Sequence, residues 1–193
     1  MIFAFDSNTQ MAIELIENGR VIILPTDTLY GFSCDAFNRD PICKLNEMKG
    51  RKSPLSIIVS DIDMAQDFAS FDQKQRKILK KYFPGPFTFL LKKKMSKLAE
   101  EITNDSEKIG LRIPRHKMLF NLVKKLNRPI VTTSVNKTKM PALLEPEKMR
   151  EEFPEVTIFE DKMNNNSVGS TIVDLTTLPY KKLRMGDGKW RSA

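Results

Sequence analysis

The most informative stretch of the chain is Val21-Ile22-Ile23-Leu24-Pro25-Thr26-Asp27-Thr28-Leu29-Tyr30-Gly31. Its first four residues form an apolar run that predicts a buried β-strand, which Pro25 ends because proline has no N–H to pair. Small hydroxyl and carboxylate side chains follow, so we expect a polar loop at the carboxyl end of this strand. Open α/β sheets place their ligands at such an edge. Taken alone, the stretch is equally compatible with an ordinary strand-to-turn transition.

Strands and helices alternate along the rest of the chain, which predicts an α/β fold with a mixed sheet and flanking helices. We find no repeat and no linker, and we expect one domain over residues 1–193. Asp40, Asp61 and Asp72 are the predicted N-caps of three helices, and Gly50 is expected to end the first of these. Helices are predicted at 8–17, 41–48, 62–68, 73–82, 117–126 and 146–153, and strands at 21–24, 55–59, 87–91, 109–113, 130–133, 156–159, 171–175 and 180–184.

The composition fits a globular protein with a sizeable core, since 40% of the 193 residues are hydrophobic and 29% are charged. No apolar run reaches the roughly 18 residues that span a bilayer, so we expect no membrane segment. The N-terminus has no secretory signal pattern, and Cys34 and Cys43 are too few for a disulfide framework, so we expect a cytoplasmic protein. The single His116 excludes a multi-histidine metal site.

The formal net charge of +8 favours anionic partners such as nucleotides or nucleic acid. A surplus of scattered lysines that only keeps the protein soluble is an equally good explanation. No GxxxxGK[ST] run is present, which excludes a P-loop, and no GxGxxG follows a predicted strand. The sequence also has no GxSxG elbow.

Three short segments carry residue types suited to an anionic ligand. Lys49 and Arg51 flank a glycine at a helix end and could present two cations to a phosphate, although cations that neutralise the helix C-terminus are the commoner case. Arg112 lies inside an apolar strand, where it needs either a carboxylate ligand or a structural salt bridge. Ser134 and Asn136 follow a buried strand on one face and could bind a phosphate or a ribose, or simply form a turn.

The segments, taken in order, resemble the YrdC-type threonylcarbamoyl-AMP synthase family in its single-domain form. The resemblance covers about Gly19 to Gly186, and its specificity lies in the order of the set rather than in any one piece. The matching segments are PTDTLYG at 25–31, KGR at 49–51, PGPFTFLL at 84–91, GLRIP at 110–114, TSVN at 133–136 and GSTIVD at 169–174.

The resemblance implies an open, twisted α/β sheet around a central basic cavity. It also implies the condensation of L-threonine, bicarbonate or CO2, and ATP with Mg²⁺ into threonylcarbamoyl-AMP and pyrophosphate. Downstream transferase proteins would then modify a tRNA adenosine next to the anticodon. The implied catalytic residues are Lys49 and Arg51, the implied nucleotide-binding residues are these two with Ser134, Asn136 and Arg184, and the implied threonine-binding residues are Thr28, Arg112 and Ser170.

Two departures from the family pattern concern the nucleotide end. The loop after Arg51 is shorter than usual, and the segment Lys137-Thr138-Lys139 lacks the family's glycine. The main alternative is a catalytically weak relative that binds tRNA or double-stranded RNA. The net positive charge of the chain suggests this alternative. A nucleotide-binding regulatory subunit that senses threonine or ATP is a second alternative. Against the RNA module, the sequence shows no aromatic stacking platform.

Overall fold

The computed structural model describes residues 1–50, 54–163 and 166–191. Six α-helices lie within these ranges: α1 (Thr9–Glu17), α2 (Arg39–Lys49), α3 (Ile62–Phe68), α4 (Gln73–Tyr82), α5 (Lys117–Leu126) and α6 (Pro146–Glu152). The same ranges contain eleven strands: β1 (Ile2–Ala4), β2 (Ile22–Leu24), β3 (Gly31–Asp35), β4 (Ser56–Ile58), β5 (Ala69–Ser70), β6 (Phe87–Lys93), β7 (Lys108–Arg112), β8 (Ile130–Ser134), β9 (Thr157–Glu160), β10 (Thr171–Asp174) and β11 (Lys181–Arg184). A short 3₁₀ helix spans Glu100–Ile102.

These strands form one sheet in the order β1-β9-β2-β3-β8-β4-β7-β6-β10-β11, with β5 added beside β6. The pairs β1/β9, β2/β9, β4/β7 and β6/β10 are parallel, and the other pairs are antiparallel. Over the described residues β1 and β11 end the order without pairing to each other, so the sheet is open. The predicted open mixed sheet with flanking helices is therefore confirmed.

The two faces of the sheet are covered differently. One face packs against α2, α3, α4 and α6 and holds the larger apolar cluster, with Phe32, Ile57, Phe89 and Leu111 buried in it. On the other face, α1 and α5 cover only one end, through a second cluster that includes Ile58. Because strand side chains alternate between faces, the uncovered part of this second face is lined by every other residue of the central strands. That part of the sheet holds the cavity described below.

The helix ends follow the predicted capping in most cases. Asp61 accepts a hydrogen bond from the Met64 amide, and Asp72 forms a reciprocal capping box with Gln75. The prediction that Asp40 caps α2 is wrong, because Asn38 accepts from the Asp40 amide and thereby starts the helix two residues earlier. Gly50 ends α2 in the left-handed region at φ 66°, as predicted.

Three strands escaped prediction, namely β1, β3 and the two-residue β5. The first two escaped because their pairing, rather than their own pattern, stabilises them. β1 has three residues and pairs only with β9, which is far away in the chain. β3 is buried along its whole length between β2 and β8, although its Gly-Phe-Ser-Cys-Asp sequence has a weak strand pattern. Tertiary context decides both elements. Among the described residues, no helix combines the length and the apolar character needed to cross a membrane.

Candidate functional site

A cavity of about 330 Å³ lies on the uncovered part of the second sheet face. The loop between β2 and β3 forms one wall, so the polar loop predicted after Pro25 does border a cavity. Thr26 shapes this loop, because its hydroxyl donates to the Leu29 carbonyl at 2.7 Å and accepts from the Thr28 amide at 3.0 Å. The loop thereby directs Thr28 into the cavity.

The floor of the cavity exists because small residues replace large ones at its centre. Ser56, Gly110 and Thr132 are neighbours on β4, β7 and β8, and all three line the cavity. Ile58 lies two residues further along β4 on the same face, but it packs against α1 and α5 instead of lining the cavity. A Cβ on Gly110 would lie 3.0 Å from the Ser56 Cβ and 3.3 Å from the Thr88 Cγ2, which is closer than most real contacts. A larger residue here would therefore fill the cavity from below.

The charged side chains that line the cavity, among the described residues, are all cationic: Lys108, Arg112 and Arg184. Carboxylates lie just behind them, where Asp27 pairs with Arg112 and Asp174 pairs with Lys108. The predicted basic character of the cavity agrees with this lining. An anionic ligand would meet three cations held in fixed positions.

Arg112 is the deepest of these cations, with only 8% of its surface exposed. Its Nη2 donates to Asp27 Oδ1 and to Thr28 Oγ1, both at 3.0 Å. Burial lowers the pKa of Arg112, whereas the charge of Asp27 acts in the opposite direction. The buried Nε has no acceptor among the described residues. An unsatisfied donor beside a cavity suits a ligand oxygen, and a guanidinium suits a carboxylate in particular.

Arg184 and Ser170 meet on the same side of the cavity as Arg112. Arg184 donates from Nε and Nη2 to the Ser170 carbonyl at 3.0 and 2.8 Å, and Nη2 also reaches the Ser170 hydroxyl at 3.0 Å. The Ser170 hydroxyl lies 2.7 Å from that of Thr88. Burial lowers the pKa of Arg184, and its charge contributes to the lowered pKa of Arg112. The two guanidiniums are therefore close enough to repel each other, which an anion between them would relieve.

Lys49 lies behind the cavity wall rather than in it. Its side chain is buried, with 1% exposed, and Nζ donates to the Ser134 carbonyl at 2.6 Å and to the Asn136 side-chain oxygen at 2.8 Å. The hydroxyl of Ser134 donates to the same Asn136 oxygen at 2.7 Å. Thr138 completes the connection, because its amide and hydroxyl both donate to the Lys49 carbonyl. The end of α2 and the segment 134–138 are thus fixed to each other.

The Sua5_yciO_yrdC family model, described as Telomere recombination, matches residues 14–186. The chain belongs to this family. The resemblance identified from the ordered motifs is therefore confirmed.

Two relatives of this Sua5/YciO/YrdC protein carry the name threonylcarbamoyl-AMP synthase. The Bacillus subtilis protein is 30% identical over 140 residues, which is 71% of this chain and 40% of that protein. The Pyrococcus abyssi protein is 28% identical over 182 residues, which is 92% of this chain and 53% of that protein. The chain thus spans about half the length of these relatives.

Solved structures of the family superpose closely on this chain. P. abyssi Sua5 complexed with L-threonine gives a TM-score of 0.88 at 25% identity, covering 96% of this chain and 57% of that one. Escherichia coli YciO gives a TM-score of 0.88 and covers 98% of this chain and 97% of its own, but at 20% identity it supports the fold alone.

The predicted site residues of this family member fall into two groups. Thr28, Arg112, Ser170 and Arg184 surround one end of the cavity, so Arg184, expected with the nucleotide, lies beside the predicted threonine-binding residues. Lys49, Ser134 and Asn136 form the second group, of which Ser134 alone lines the cavity among the described residues. Arg51 lies outside the described residues, and its role stays a prediction.

Two charged residues at the site escaped the sequence analysis. Asp27 holds Arg112, and its other oxygen accepts from the Arg115 amide at 3.0 Å. Lys108 lines the cavity two residues before Gly110. The signal for Lys108 was present, because residues 108, 110 and 112 of a strand share one face.

The described residues contain no group of three or more His, Cys, Asp or Glu side chains that could hold a metal ion. The nearby carboxylates of Asp27 and Asp174 are engaged with Arg112 and Lys108. The described residues therefore offer no protein-built cage for a metal ion, and the magnesium expected with the nucleotide stays a prediction.

Proposed function

We propose that this protein is an L-threonylcarbamoyl-AMP synthase, a nucleotidyltransferase that condenses L-threonine, bicarbonate or CO2, and ATP and releases pyrophosphate. The observation that carries the proposal is the group formed by Thr28, Arg112, Ser170 and Arg184 at one end of a cationic cavity. Support comes from the threonine complex of P. abyssi Sua5, whose chain superposes on this one.

Threonine is proposed to bind at this end of the cavity. Its carboxylate would accept from Arg112, whose buried Nε lacks an acceptor among the described residues. The hydroxyls of Thr28 and Ser170 would bond the ligand's remaining polar atoms, since both residues line the cavity. The two guanidiniums would also lower the pKa of the threonine amine, which must be neutral to react.

The reaction has two bond-forming steps. The amine nitrogen attacks CO2 and loses a proton, which gives a carbamate. A carbamate oxygen then attacks the α-phosphorus of ATP, and the bond from that phosphorus to the bridging oxygen of pyrophosphate breaks. Arg184, which contacts Ser170 and lines the cavity, would stabilise the charge that develops on the reacting groups. Positioning of the three reactants supplies much of the rate enhancement, since the described lining contains no carboxylate or imidazole to act as a base.

The nucleotide is proposed to bind along the wall formed by the segment 134–136, which Lys49 positions from behind, together with Arg51 and Arg184. Ser134 lines the cavity, and Lys49 holds its backbone carbonyl from behind. Mg²⁺ would accompany the triphosphate, where it neutralises phosphate charge. The resulting threonylcarbamoyl-AMP would pass to downstream tRNA threonylcarbamoyl transferase proteins in the cytoplasm.

The alternative of an RNA-binding relative without turnover makes opposite predictions for Lys49 and Arg51. The experiment measures pyrophosphate release and tRNA binding for the wild type and for a Lys49→Ala/Arg51→Ala variant. The synthase predicts release that requires both threonine and bicarbonate and is nearly abolished in the variant. RNA binding should then weaken only modestly, with a salt slope smaller by at most about two units.

Folding of the double variant is checked by thermal unfolding, and Lys44→Ala/Lys77→Ala serves as the matched control, because both lysines are exposed on helices. Turnover of the Lys49/Arg51 variant at the wild-type rate contradicts the proposed site. Loss of tRNA affinity with retained ATP binding would favour the RNA-binding alternative.

A further inference from the structure

We infer that the end of the cavity around Lys108 is a binding site for the polyphosphate of the nucleotide, from which pyrophosphate leaves. This inference rests on the proposed function and adds a subsite to it. Lys108 belongs to none of the motif segments, and it lines the cavity through its own position on β7.

Lys108 and Arg112 mark opposite ends of the cavity floor. Both lie on β7 with Gly110 between them, on the same face of the sheet. Four residues of an extended strand separate their backbones by about 13 Å. Thr28 contacts Arg112 at one end, whereas Ser106 and Pro54 line the cavity with Lys108 at the other.

One carboxylate holds the Lys108 ammonium in place, and this contact does not occupy all of its hydrogen-bond donors. Its Nζ donates to Asp174 Oδ2 at 2.6 Å, and Asp174 Oδ1 accepts from both the amide and the hydroxyl of Thr176. The side chain of Lys108 is 41% exposed, whereas that of Asp174 is 8% exposed. Because an ammonium has three donors and the structure gives this one a single partner among the described residues, donors remain for a ligand.

A second lysine adds positive charge at the same end. Lys92 of β6 lies directly opposite Lys108 in the antiparallel register, so both side chains leave the same face of the sheet. Like charges in this arrangement destabilise a sheet, and one carboxylate, Asp174, cannot neutralise two ammoniums. A bound anion would relieve the repulsion that remains.

The geometry of phosphoryl transfer sets the direction in which pyrophosphate leaves. In such a displacement the attacking oxygen and the leaving oxygen lie roughly in line, on opposite sides of the phosphorus. If the threonine carbamate approaches from the Arg112 end, pyrophosphate must leave towards the opposite end of the floor. Lys108 lies there, and the two donors that lack a partner among the described residues suit phosphate oxygens.

The experiment is calorimetric titration of wild type and variants with pyrophosphate, ATP and AMP in magnesium buffer. For Lys108→Gln we expect the Kd of pyrophosphate and of ATP to rise about ten-fold, as for a lost charge-assisted hydrogen bond, and that of AMP to change less than about two-fold. Lys77→Gln is the matched control, because it removes the same charge from α4, on the other face of the sheet.

Removing Lys108 alone leaves the buried Asp174 without its cation, which could destabilise the fold. The double variant Lys108→Gln/Asp174→Asn avoids this because it replaces the ion pair with two neutral amides. It should show the same selective loss for pyrophosphate and ATP. Equal loss for AMP, equal loss in the Lys77 control, or unchanged pyrophosphate binding would each overturn the subsite. If the wild type binds no ATP and releases no pyrophosphate, the proposed function itself fails, which is a separate outcome.

Discussion

The ammonium of Lys49 donates a 2.8 Å hydrogen bond to the side-chain oxygen of Asn136, which lies 87 residues away in the chain. The same ammonium bonds the backbone carbonyls of Ser134 and Asn136. A helix end and a strand end are thereby joined by one buried charge. Lys49 and the segment 134–136, which are both predicted to serve the nucleotide, are therefore in direct contact.

Lys49→Met is expected to destabilise the fold by about 2–3 kcal/mol, because the half-buried oxygens of Ser134 and Asn136 that accept from the ammonium lose this donor. The measurement is the free energy of unfolding in urea. Lys44→Met, on the exposed side of the same helix, is the control and should change stability by less than about 0.5 kcal/mol. Equal stabilities of the two variants would contradict a structural role for the Lys49 ammonium.

Arg112→Ala is expected to raise the Kd of threonine about ten- to hundred-fold, as for the loss of a charge-assisted pair, with a much smaller effect on ATP. Arg112→Lys should be impaired as well, because it keeps the charge but loses the planar fork. Calorimetry with both ligands tests this, and the exposed Arg20→Ala is the control. Unchanged threonine affinity in folded Arg112→Ala would remove this residue from the site.

His116 makes stability depend on pH. Its Nδ1 accepts from the Leu119 amide and so caps α5, and burial lowers its pKa below the usual 6.5 despite the nearby Asp161 and Asp27. The unfolded chain therefore takes up a proton at a higher pH than the folded protein. Stability falls as the pH drops below about 6.5, by at most about 1.4 kcal/mol per unit, and levels off below the folded pKa.

Replacing His116 with Asn keeps a capping acceptor and removes the titration. The free energy of unfolding of the variant, measured between pH 7.5 and 5.5, should show a shallower slope than that of the wild type. Because the chain has one histidine, the difference between the two slopes reports this residue. Identical slopes would show that its pKa is the same in both states.

Lys139 adopts the left-handed region at φ 68°, where a side chain is strained. Lys139→Gly should stabilise the fold by about 0.5 kcal/mol, the relief of that strain less the added freedom of the unfolded chain. Lys137→Gly, at a position with ordinary φ, should instead destabilise it. Thermal unfolding of both variants is the measurement, and a loss of stability in Lys139→Gly would contradict the assigned strain.

The sequence by itself determined the α/β class, the polar loop after Pro25 and the family, the last from the order of its motifs along the chain. The first two features depend on neighbouring residues: alternating strand and helix patterns, and an apolar run that proline ends. Local physics is sufficient for them, because side-chain alternation and capping act over a few residues.

Only the tertiary structure decided what the charged residues contact. The sequence predicts a phosphate-binding role for Lys49, and the structure shows its ammonium buried against the segment 134–136. The structure shows Asp27 at the site in an ion pair with Arg112, and Lys108 in an ion pair with Asp174. These pairings follow from strand order and register across distant parts of the chain, which no local pattern encodes.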